Sequence, residues 1–225
     1  MAKKLGKIKK PKAEDFEKGR KLLYLPLVFT PEQPEAEFNN MLDRYWQQSR
    51  EQIANLEAKL SKINKVFHEW VDQGGEQGVE TMEVMASGSR DVVKECLAQQ
   101  AELMPVEDRE LLNEFIDWNR CLAMGLMSRK VFNQVYRSYT DVKKKREKLI
   151  IKKVDQALGQ NEVGLLVMRE DNKVEFPKDV QVFYIAPPAL DEIQRYLREK
   201  NKPPKQSAAE SMIIDEDEEE GSQAS

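Results

Sequence analysis

Between Phe38 and Trp70 the residues at 38, 42, 45, 49, 53, 56, 60, 63, 67 and 70 follow one another in steps of three and four, and all but Ser49 are apolar. Such spacing lines one face of a helix, with heptad character and one stutter at Ser49–Ile53. Thr30, Pro31 and Pro34 give start signals, and nothing breaks the pattern before Gln73. The spacing predicts a single helix over 34–73, a rod of roughly 57 Å. A rod that long outruns a small core. Its seam of Phe38, Leu42, Ile53, Leu56, Leu60, Ile63 and Phe67 is expected to pack along another long helix, in this chain or a second copy.

The natural partner is a helix over 128–158, capped by Ser128 and closed by Gly159. Its inward face reads Phe132, Val135, Tyr139, Val142, Arg146, Leu149, Lys153 or Val154, and Ala157. Gly74, Gly75 and Gly78 predict a flexible connector, and Val79–Ala86 fits either a strand or a short helix. Helices are predicted from Ser89 to about Leu103 and from Pro105 to Met124. Leu22–Phe29, with Pro26 inside it, reads as an edge strand or an extended segment. Val163–Met168, Lys173–Phe176 and Val180–Ile185 read as strands, and Pro187–Lys200 as a final helix. The expected fold is α+β and predominantly helical: a long antiparallel helical hairpin or bundle with a small sheet of three or four strands.

Charge divides the chain. Residues 1–12 carry six lysines and no acid, whereas residues 201–225 carry two lysines against seven acids. Both ends are poor in apolar residues and are expected to be disordered arms, 1–20 basic and 201–225 acidic, around one domain over 21–200. No stretch approaches the roughly 20 apolar residues of a membrane span, so no membrane partner is expected. The lysine head does not run into an apolar signal segment, and the two cysteines stand apart, so the cytoplasm is the expected compartment.

The residue types exclude much chemistry. The chain holds one histidine, His68, with Asp72 where a zincin would place the second. Cys96 and Cys121 have no CxxC partner, and no metal or cofactor is expected. A Ser-His or Cys-His nucleophile would have to use His68, which the pattern puts on the rod. Gly74–Gly78 lacks the GK[ST] ending of a phosphate loop. Glu170 and Asp171 follow one predicted strand and Asp179 precedes another. With Arg169 they would form a carboxylate site if they met at one sheet edge; the alternative is a solvated turn.

Lys143, Lys144, Lys145, Arg146, Lys148, Lys152 and Lys153 crowd eleven residues with Glu147 as the sole acid. Together with the lysine head they can neutralise phosphates without reading sequence. In the tail, Met212-Ile213-Ile214 followed by Asp215–Glu220 resembles a SUMO-interacting motif; the other reading is a solubilising arm. The stretch Arg146–Met168 resembles the helix-to-strand passage of TraB-type proteins, with Arg169 and Glu170 where that family places a histidine. The likeness covers about a tenth of the chain and implies a strand after the basic helix, nothing more.

The expected function is a cytosolic interaction or scaffold protein that uses its long amphipathic helices, coiled-coil fashion, on a protein partner or on itself. The alternative is nucleic-acid or ribosome-associated binding through the lysine head and Lys143–Lys153. The third is an enzyme with carboxylates at a sheet edge.

Overall fold

Arg20–Pro26 (β1) and Val163–Met168 (β4) are buried at every position. Strands apolar on both faces belong inside a sheet covered on both sides. In the computed structural model, which describes residues 19–28, 30, 33–85, 87–170 and 174–200, they are neighbours in that setting. Lys65–His68 (β2), Glu102–Met104 (β3) and Val180–Tyr184 (β5) complete a five-stranded sheet in the order β3-β2-β4-β1-β5. Every pairing is parallel.

Parallel strands need crossovers, and the chain supplies them as helices. Among the described residues there are six: Ala36–Glu57 (α1), Gly75–Met85 (α2), Arg90–Ala98 (α3), Arg109–Ala123 (α4), Arg129–Ala157 (α5) and Pro188–Lys200 (α6). One face of the sheet, with Leu23, Leu25, Val66, Leu165 and Val167, packs on α1, α2, α3 and α6. The other, with Leu22, Tyr24, Phe67 and Leu166, packs on Ile150 and Val154 of α5 and on Leu158 just after it. Each such buried side chain contributes about 1.5–3 kcal/mol.

This is an α/β fold, which corrects the expected α+β helical hairpin with a small sheet. The predicted rod over 34–73 is the main error. Helix α1 stops at Glu57, where the Glu57 carboxylate accepts from the Ile63 N–H at 3.0 Å and turns the chain. Ile63, Phe67 and Trp70 keep a spacing of three and four, but Lys65-Val66-Phe67-His68 gains ladders with β3 and β4 on its two sides. Tertiary pairing overrides the periodicity.

Other expectations shift with it. Strand β1 lies between β4 and β5 rather than at an edge, with Pro26 at its last position. Gly75 and Gly78 fall inside α2 rather than in a connector, and the segment to Leu103 divides into α3 and β3. Val174–Phe176 is not a strand. Asp171 and the two arms, apart from Gly19 and Arg20, lie outside the described residues.

Candidate functional site at the carboxyl edge of the sheet

The chain leaves β2 toward β3 and leaves β4 toward β5, in opposite directions across the sheet. The crevice between the carboxyl ends of β2 and β4 is therefore the topological switch point, where open parallel sheets take their ligands. The residues at this point are His68-Glu69-Trp70 after β2 and Arg169-Glu170 after β4.

Two ion pairs are built in here. Glu69, fully buried, accepts from the Arg169 backbone N–H and from Arg169 Nε, each at 3.0 Å. One layer further out, Arg146 of α5 grips Glu107, which follows β3: Nε meets Oε2 at 3.1 Å and Nη2 meets Oε1. Both members of that pair are buried, and Lys153 Nζ donates to the Glu107 carbonyl. The two guanidinium groups share an aromatic sandwich. Arg146 lies 5.4 Å from the Trp70 ring and 4.1 Å from Phe115, and Arg169 lies 5.2 and 5.5 Å from the same rings. Burial pushes the Glu69 carboxyl up, against the downward pull of Arg169 and Arg146.

Trp70 carries φ of +81°. A bulky residue in that region costs on the order of 1–3 kcal/mol and persists only where its surroundings hold it. Here the hold is the pair of cations against its ring. Beside it, His68 is fully buried. Its Nδ1 faces the Glu69 carbonyl, and its Nε2 lies 2.8 Å from Ser89 Oγ. The carbonyl only accepts, so Nδ1 carries the proton and Ser89 donates to Nε2. Ser89 stands at the cap position of α3, but its hydroxyl serves His68 rather than the helix.

The accessible part of the edge is a cleft of about 580 Å³ lined by Tyr24, Glu170, Val174, Glu175, Phe176, Val182 and Tyr184. Tyr24 of β1 and Tyr184 of β5 stack at 5.3 Å and 16°. The Tyr24 hydroxyl donates to the Arg169 carbonyl at 2.8 Å, which ties the cleft to the ion pairs. Tyr184 Oη and Gln194 Nε2 hold the two oxygens of Glu170. Burial, then the Glu170 carboxylate, push the Tyr184 hydroxyl up. Two further clefts lie elsewhere, about 510 Å³ beside β3 and about 470 Å³ between α2 and α4.

The residues singled out from the sequence are dispersed. Phe38, Leu42, Ile53 and Ile63 are buried in the core against the sheet, with Leu56 and Leu60 packed half-buried on it. Phe67 lies in β2 and points to the opposite face. That stripe is spent inside the fold. On α5, Lys144, Lys145, Lys148 and Lys152 are exposed, Lys143 is half-buried, and Arg146 and Lys153 turn inward to Glu107. Glu170 stands at the carboxyl edge, but Asp179 precedes β5 at the amino edge, where it pairs with Arg20 at 2.7 Å. A parallel sheet places these two acids at opposite ends of its strands, so they do not meet.

Among the described residues no group of three or more His, Cys, Asp or Glu side chains is placed to hold a metal ion. Cys96 is buried, which pushes its thiol up to about 12, and Cys121 is half-buried on another helix. Comparison with protein-family models, with curated proteins and with solved structures finds no match.

Proposed function

We propose that this chain is a binding domain for a small, flat organic molecule that carries hydrogen-bond donors, held in the cleft at the carboxyl ends of β1, β4 and β5. The stacked Tyr24–Tyr184 pair beside Glu170 carries this reading. Aromatic walls supply apolar contact and a stacking face, and a carboxylate fixed by two donors orients a ligand without reorganising. The ion pairs behind the cleft stiffen its floor through Arg169. The test is a ligand-observed NMR screen of metabolites against the full chain. Hits that vanish with Tyr184→Ala support the reading. Hits unaffected by that substitution, or none at all, overturn it.

A second reading rests on the lysine ridge. Lys144, Lys145, Lys148 and Lys152 lie within about 100° of one another around α5, and all are exposed. A lysine ridge suits phosphate contact without base readout. Charge reversal at Lys144, Lys145 and Lys148 is expected to abolish retention on immobilised RNA or DNA. Unchanged retention with the fold intact removes this reading.

A further inference from the structure

The α4–α5 hairpin leaves the body of the fold. Ile150, Val154 and Leu158 hold the second half of α5 on the sheet, and Arg146 sits at the carboxyl edge. From Arg146 back to Arg129 the helix runs on for about 25 Å. Along that arm Tyr139 stacks on Phe115 of α4 at 5.3 Å, and Val135 and Val142 are buried. At its apex, around Gly125 with φ of +72°, the chain turns with its apolar side chains outward. Met127 is 102% exposed and Met124 77%, and Val131, Phe132 and Tyr136 are exposed one to three turns below. Phe132 and Tyr136 stack on each other at 5.9 Å.

The charge around this apex is one-sided. Residues 118–140 hold Arg120, Arg129, Lys130 and Arg137 and no acid, in a chain with 40 acids among 225 residues. Of the four, Arg120 reaches Asp117 at 3.4 Å. At the apex the Met127 side chain stands clear of the rest of the chain and Met124 largely so. A second copy placed tip to tip would set cations against cations. A peptide docks in a groove, whereas side chains as exposed as Met124 and Met127 project from the surface rather than line one. A soft, flat, anionic surface answers both the shape and the charge.

We propose that the tip of the α4–α5 hairpin is a docking site for an anionic phospholipid surface. Met124, Met127, Val131 and Phe132 enter the acyl boundary, and Tyr136 lies at headgroup level. Arg129, Lys130 and Arg137 meet the phosphates. No helix among the described residues is long and apolar enough to cross a membrane, so the contact is interfacial. Insertion of a few apolar side chains together with several cations is the combination that gives reversible interfacial binding.

The test is co-sedimentation of the full chain with vesicles of phosphatidylcholine alone and of phosphatidylcholine with phosphatidylglycerol. Binding to the anionic vesicles only is expected, weakened about tenfold or more by Met127→Glu with Phe132→Glu and retained by Met127→Leu. The replaced side chains are exposed, so circular dichroism should show an unchanged fold. In Met127→Trp, brominated lipid should quench the added fluorophore. Absence of vesicle binding overturns the proposal. So does binding that survives the double glutamate variant, which would assign the attraction to lysines elsewhere. A dimer by light scattering that the same variant dissolves, without vesicle binding, would give the tip to a protein contact instead.

Discussion

Arg169 delivers two hydrogen bonds to one oxygen of Glu69, from its backbone N–H and from its Nε, both at 3.0 Å. The pair fastens the end of β4 to the end of β2 at the switch point, and the same guanidinium lies against Trp70. Truncating the side chain, as in Glu69→Ala, takes away the acceptor that both bonds share and opens a gap beside the Arg169 guanidinium. Arg169 keeps some solvent, so the expected loss is about 2–3 kcal/mol, below the range for a fully buried pair. Urea unfolding at neutral pH measures it, and a loss under half a kcal/mol would show that the pair does not hold the edge together.

The deeper pair should cost more to break. Arg146 and Glu107 are 2% and 0% exposed, so Arg146→Met strands a buried carboxylate and is expected to destabilise by about 3–5 kcal/mol. Lys148→Met, two residues away on the exposed ridge, should stay within about 0.5 kcal/mol. Adding Glu107→Leu to Arg146→Met should recover most of the loss, because no orphan charge then remains. Equal effects at 146 and 148 would mean that Arg146 is solvated in solution.

Much of this was legible in the sequence, and the failures have physical causes. The apolar runs of β4 and β5 and the Ser128 cap of α5 mark those elements where the structure has them, with Ser128 accepting the Val131 N–H. Helix α4, by contrast, starts at Arg109 behind an Asp108 cap rather than at Pro105. Parallel pairing is a long-range property that no local pattern carries. Strand β2 was hidden because Ile63, Phe67 and Trp70 happen to extend the stripe of α1. Arg146 belonged to two patterns at once, the lysine cluster and the apolar face of α5. A cation on an apolar face signals a buried partner, and Glu107 is that partner. Glu69 and Trp70 had no signal of their own while the segment read as helix. Tyr24 and Tyr184 could be paired only once β1 and β5 were known to be neighbours.

Gly164 is small for a packing reason. It lies in β4 on the face under α5, where an added Cβ would come within 2.9 Å of the Phe67 ring, 3.1 Å of Leu22 and 3.2 Å of Leu158. Gly164→Ala should therefore overpack this layer and cost about 1–3 kcal/mol in denaturant unfolding. The penalty should shrink in a Leu158→Val background, which vacates part of that space. A neutral or stabilising Gly164→Ala would mean that α5 shifts easily on the sheet.

His68 should give the fold a distinctive acid response. Burial pulls its pKa from 6.5 down to about 4, so between those values the unfolded chain takes up a proton that the folded chain refuses. Stability then falls as pH drops from 6.5 toward 4, by about 3 kcal/mol over the whole interval, and below that the contribution is constant. Glu69 acts in the opposite sense. Burial raises its native pKa, so the folded chain takes up that proton first, and protonation there favours the fold. A difference measurement separates the two, because Glu69 is common to both proteins when native protein is compared with His68→Gln. The advantage of the native protein over the variant should be largest near pH 7 and shrink by about 3 kcal/mol by pH 4. Urea titrations at several pH values measure this difference. If it is independent of pH, His68 is accessible to protons in the folded state, and the Ser89–His68 contact opens to solvent.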